Sequence, residues 1–166
     1  METELEQRLT HTHKFGLIAF IKDHPECVEE LLVLAISDKP PYSWRASWLV
    51  WSIMEPNDNR IQPFLPQMVN ILPHRKENQQ RELMMILQRM DLDEDLEGLL
   101  FGHCCKIWEQ TRLQPSIRVN AIRLLVKIVK NHPELKPELQ FLTQPQFLNT
   151  LSKGVKWSVE KLLQKI

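Results

Sequence analysis

The sequence predicts an all-α protein, a right-handed α-solenoid (α-α superhelix) of about four to five stacked helix pairs. Three observations carry that expectation. An arginine-bearing apolar pattern recurs at Ser43-Trp44-Arg45-Ala46-Ser47-Trp48-Leu49, Gln80-Arg81-Glu82-Leu83-Met84-Met85 and Ser116-Ile117-Arg118-Val119-Asn120-Ala121-Ile122, its arginines 36 and 37 residues apart. Each copy is followed by a polar or proline-bearing break and a second apolar run. Four glycines are too few for a turn-rich β fold, and eleven prolines, mostly between apolar runs, mark many short helices.

Taken in order, residues 2–9 predict a short amphipathic helix capping the N-terminal end. Residues 14–22 predict the next, stopped at Asp23-His24-Pro25. Proline is disfavoured in a helix interior and tolerated in the first turn, so Pro25 opens a helix through Ile36, with Val28, Leu31, Leu32, Ala35 and Ile36 at helical spacing. Residues 37–41 read as a loop. A pair follows over 43–54 and 60–72, with Ser43 and Asp58 or Asn59 as N-caps and Pro63 and Pro66 in the second helix's first turns. Residues 78–90 and 94–109 form a further pair. Asp93, Glu94 and Asp95 put negative charge where the helix dipole favours it.

The third arginine-bearing helix covers 116–130 and stops at Asn131-His132-Pro133-Glu134, echoing Asp23-His24-Pro25-Glu26. Pro137 opens its partner, and residues 146–166 form a terminal unit whose Lys153, Lys156, Lys161 and Lys165 suit an end cap. The expected organisation is one repeat domain over 1–166, with units at 1–38, 42–73, 78–111 and 115–143 and a cap at 145–166.

The arginine-bearing helices resemble the first helix of the HEAT-like, armadillo-type repeat superfamily. In that pattern an apolar residue and Arg are followed at +3 by a small residue and at +6 and +7 by apolar ones. Residues 116–125 match it; residues 43–53 match in part, with Trp48 at the small position and Ser52 at an apolar one. Residues 80–87 match loosely, with Gln80 before the arginine and Met84 at the small position. The resemblance implies a scaffold for protein partners. A more distant similarity, to the helical-repeat alkylpurine DNA glycosylases, rests on Trp residues and basic residues in similar helix pairs. No residue-by-residue match carries their catalytic positions to this chain.

Composition narrows the function classes. The net charge is zero, but residues 1–100 hold 10 Lys and Arg against 17 Asp and Glu, and residues 101–166 hold 11 against 4. Such polarity steers acidic partners to the C-terminal end or favours head-to-tail self-association. No apolar stretch reaches the ~20 residues that span a bilayer, and the acidic start Met1-Glu2-Thr3-Glu4-Leu5-Glu6 lacks the features of a signal peptide. Three cysteines, Cys27, Cys104 and Cys105, form no disulfide framework. The expected location is cytoplasmic, with no membrane contact and no cofactor.

Several constellations are candidates for binding. Trp44, Trp48 and Trp51 fall at i, i+4 and i+7 and share a helix face, either packed in the core or lining a groove; Arg45 adjoins them. Arg45, Arg81 and Arg118 hold equivalent repeat positions and are expected to form a ladder, bonding carbonyls or carboxylates of the adjacent repeat or facing an acidic partner. Arg123, Lys127 and Lys130 line one face of the last arginine-bearing helix. The histidines and cysteines lack the spacing of a closed zinc site. No Gly-x-Gly run, Gly-x-Ser-x-Gly or nucleophile–base pair is present, so no catalytic residue is assigned. The expected function is a non-enzymatic scaffold that binds a protein in an inner groove made by the second helices, with the Trp and Arg positions as anchors. The alternative is a nucleic-acid binder, linked to DNA repair, that places Arg112, Arg118, Arg123, Lys127 and Lys130 on one face.

Overall fold

The computed structural model describes residues 1–166 and is all-helical. It holds eleven α-helices and four 3₁₀ turns, with no strand. They group into two compact units, residues 1–91 and 92–166.

In the first unit the helices are α1 (Glu4–His11), α2 (Lys14–Asp23), α3 (Val28–Ile36), α4 (Tyr42–Ile53), α5 (Leu65–Ile71) and α6 (Glu77–Leu87). The central helix is α4, packed against α1, α2, α3 and α6. Its Ala46, Leu49 and Val50 are buried with Leu31, Leu32, Met68, Leu83 and Met84. Thr3 and Glu6 close a reciprocal capping box at the start of α1. Gly16 lets α2 approach the α1–α2 turn, because a Cβ there would lie 2.7 Å from the Thr12 methyl.

In the second unit the helices are α7 (Glu94–Glu109), α8 (Pro115–Asn131), α9 (Lys136–Leu142), α10 (Pro145–Leu148) and α11 (Lys153–Leu163). Here α8 is central and packs against α7, α9 and α11. Its Ile117, Ala121, Leu124, Leu125 and Ile128 form the core with Leu100, Cys104 and Trp108. Asp93 caps α7, its carboxylate accepting the Leu96 N–H at 2.8 Å.

The two His-Pro-Glu breaks adopt one conformation. His24 (φ −127°, ψ 65°) and His132 (φ −131°, ψ 76°) each cap a helix C-terminus, and a 3₁₀ turn opens at the following proline. The elements depart from the sequence reading in three places. Ser43 is buried inside α4 rather than capping it; its hydroxyl accepts the Lys39 N–H at 2.8 Å and closes the preceding loop. Asp58 does not cap the next helix, which begins later with a 3₁₀ turn at Gln62–Phe64. Instead its carboxylate accepts the Glu55 and Arg60 backbone N–H groups and the Arg60 guanidinium, which holds its pKa down at about 2. The terminal unit is two helices, because Ser152 caps α11 and restarts the chain after α10.

Helix C-termini leave carbonyls without intrahelical partners, and side chains from neighbouring helices satisfy them here. Arg45 Nη1 donates to Leu9 O at 3.1 Å, Arg75 Nη2 to Ile36 O at 2.8 Å and Arg89 Nη1 to Trp51 O at 2.7 Å. Gln79 Nε2 donates to both Ala35 O and Ser37 O at 2.9 Å. In the second unit Arg118 Nε donates to Trp108 O at 2.9 Å, and Trp108 Nε1 donates to Leu142 O at 2.7 Å. A cation at a helix C-terminus also complements the dipole.

Candidate functional site

The predicted aromatic strip lies on α4, with Trp44, Trp48 and Trp51 all half-buried. Each ring carries a cation: Arg45 at 5.3 Å over Trp44, Lys14 at 5.8 Å over Trp48 and Arg89 at 5.6 Å over Trp51. Trp48 and Trp51 meet edge to face with centroids 6.4 Å apart. The Trp51 indole N–H donates to the buried carboxylate of Glu82. Burial raises the Glu82 pKa, opposed by that hydrogen bond and by Arg81, whose Nη1 lies 3.1 Å away.

The predicted arginine ladder is built from more residues than the repeat suggested. Arg45 and Arg118 bond carbonyls of neighbouring helices, whereas Arg81 is exposed and bonds only the adjacent Glu82. Arg75 and Arg89, which the sequence pattern did not single out, supply the carbonyl bonds to α3 and α4.

On α8, Arg123 and Lys130 are exposed and Lys127 is half-buried along one stripe. Arg118 leaves that set, because it is 1% exposed and turned into the unit's interior. Its Nη1 donates to Thr150 Oγ1 at 2.9 Å, its Nη2 has no partner, and burial lowers its pKa. The charge polarity also narrows between the two units. Residues 1–91 carry ten basic against thirteen acidic side chains and residues 92–166 eleven against eight, because the acidic start of α7 falls in the second unit.

A groove that the sequence did not reveal consists of two open clefts along α7 in the second unit, one against the His132 turn and one against α9. The first, about 470 Å³, is lined by Glu94, Asp95, Gly98, Leu99, Ile128, His132 and Leu135. The other, about 480 Å³, is lined by Cys105, Glu109, Pro137, Glu138, Phe141 and Leu142. Gly98, Cys105 and Glu109 lie on one side of α7, so both clefts open beside that face of the helix. A Cβ added at Gly98 would meet nothing within 4 Å, so the first cleft is open there. Leu99 is 41% exposed and Phe141 58%. Glu134 completes a lining with five carboxylates and no Lys or Arg.

At the groove's edge Glu97 accepts from Asn131 Nδ2 at 3.2 Å and His132 Nε2 at 3.3 Å, which raises the His132 pKa. The clefts are lined chiefly from α7, the His132 turn and α9, whereas every predicted Trp and Arg anchor sits on α4, α6 or α8. The groove and the predicted anchors are therefore separate surfaces. No group of three His, Cys, Asp or Glu is arranged to hold a metal ion, and no helix is long and apolar enough to cross a membrane.

Paired helices with arginine-capped ends are the construction of a helical-repeat protein, and comparison with known families agrees. The family model of the HEAT repeat domain matches residues 1–166, and the chain belongs to that family. Neither the curated proteins nor the solved structures include a match.

Proposed function

We propose that the chain is a non-enzymatic protein-interaction module that holds a basic, partly apolar segment of a protein partner in the clefts along α7. The supporting observation is the groove lining, where exposed Leu99 and Phe141 stand among five carboxylates with no Lys or Arg. Monomer surfaces rarely leave such apolar patches uncovered without use, and an acidic rim selects for cationic partners. In this reading Trp44, Arg45, Trp48, Trp51 and Arg81 hold the first unit together rather than contact the partner. Three free thiols suit a cytoplasmic setting.

The test uses fluorescein-labelled amphipathic helical peptides, one set rich in Lys and one rich in Glu, titrated with the full chain and followed by anisotropy. The basic set is expected to bind, to weaken as salt rises and to lose binding in Phe141→Glu. Equal binding of the acidic set, or an unchanged affinity in Phe141→Glu, overturns the proposal.

A second reading, nucleic-acid binding, draws on the exposed Arg123 and Lys130 of α8. It predicts salt-sensitive binding of duplex or single-stranded DNA or RNA that falls in Arg123→Glu/Lys130→Glu. No binding at low salt removes it.

A further inference from the structure

The C-terminal helix presents the complement of the groove. Within one chain α11 packs against α8, with Val159 buried. On its outer side Trp157 is 58% exposed, and Lys161 Nζ lies 4.2 Å from the ring centroid. Lys153 and Lys161 stand one turn before and after Trp157 on α11, and Lys165 lies just beyond its end. Residues 152–166 hold four lysines and a single acidic residue, Glu160. An exposed indole among lysines and open apolar clefts among carboxylates are complementary in charge and in apolar surface.

We propose that the groove's occupant is α11 of a second copy of this chain; this rests on the preceding reading of the groove as a protein-binding site. Trp157 seats in the cleft between α7 and α9 against Phe141 and Leu142. Lys153 and Lys161 face Glu109 and Glu138, which line the same cleft. An indole flanked by cations fits an apolar cleft rimmed by carboxylates. Groove and helix are different patches, so the contact is heterologous and adds copies head to tail instead of closing as a two-fold dimer.

The full chain is examined by sedimentation equilibrium from about 1 to 200 µM, at low and high salt. The wild type is expected to gain mass with concentration past the dimer, and to lose it as salt rises. Trp157→Ala keeps the groove but lacks the anchor; Phe141→Glu keeps the anchor but has a blocked groove. Both positions are exposed, so both variants are expected to fold, with circular dichroism as the check. Each variant alone is expected to stay monomeric. Their equimolar mixture is expected to form a one-to-one heterodimer and nothing larger, because only one groove and one anchor remain competent.

A wild type that stays monomeric throughout, or an assembly unmoved by Trp157→Ala, overturns the proposal. The labelled basic peptides separate the two levels. Monomeric wild type that still binds them through Phe141 rejects the second copy as occupant and leaves the groove reading standing. Loss of peptide binding as well rejects both.

Discussion

The guanidinium of Arg118 lies 4.4 Å from the centroid of the Trp108 ring, and its Nε donates to the carbonyl of that same residue at 2.9 Å. One side chain thus stacks on an indole and closes the helix end that carries it. Nη2 is buried without a partner, and burial alone shifts the guanidinium's pKa, downward. Arg118→Lys loses the planar stacking and the divergent donors while keeping the cation. Its expected cost is about 2–3 kcal/mol, read as a lower urea midpoint at unchanged slope. Arg118→Met keeps an apolar stem and removes the buried charge, so it is expected to cost less than Arg118→Lys. The reverse order would show that the charge itself stabilises the unit.

Glu82 supplies a second prediction. Its pKa is raised, mainly by burial, so the folded protein binds this proton more tightly than the unfolded chain does. The resulting penalty is absent below the unfolded pKa and develops as pH rises through the folded one. Glu82→Gln mimics the protonated form and retains an acceptor for the Trp51 N–H. At neutral pH it is expected to be at least as stable as the wild type, with the difference vanishing by about pH 4. Thermal melts of both proteins across pH 4–7 check this.

His132 titrates in the opposite sense. Hydrogen bonding to Glu97 raises its pKa above 6.5, helped by Glu134 and Glu94. Its contribution is therefore fully present below the ordinary histidine range and is lost as pH rises through the folded pKa. The Tm difference between wild type and His132→Gln is expected to be largest near pH 5.5 and to shrink toward pH 8.5. A pH-independent difference would assign the residue to packing alone.

The thiols should be slow to react. Cys104 is buried and its pKa is raised; Cys105 is pushed up to about 12 by burial and by Glu109 and Glu138. Only the thiolate attacks disulfide reagents. At pH 8 the native protein is expected to react far more slowly with a disulfide reagent than urea-unfolded protein, which exposes all three cysteines. Rapid labelling of Cys105 in the native state would contradict its surroundings.

The helices were legible because their signals are local. Pro25, Pro133 and Pro137 mark helix starts or 3₁₀ turns, and the predicted helix over 94–109 is observed as α7. Local chemistry misled at Ser43 and Asp58, where a side chain with capping ability was used inside a turn. The arginine repeat located Arg45 and Arg118 but not Arg75 or Arg89, because reaching a carbonyl depends on the path of the neighbouring helix end. The groove was least visible of all. Leu99 and Phe141 are 42 residues apart in sequence, and a glycine within an apolar helical run carries no sign that it borders a cleft.

The helix-end arginines give the first unit a direction in time. Arg45, Arg75 and Arg89 each complete a carbonyl 36, 39 and 38 residues earlier in the chain. A chain emerging from the ribosome thus leaves α1, α3 and α4 unfinished at their C-termini until roughly one further repeat has been synthesised. Nascent chains arrested before Arg75 or Arg89 are expected to be digested at those frayed ends, and chains arrested just beyond to resist. Within the first unit each of these helix ends waits for a later arginine, and maturation there runs from the N-terminus forward.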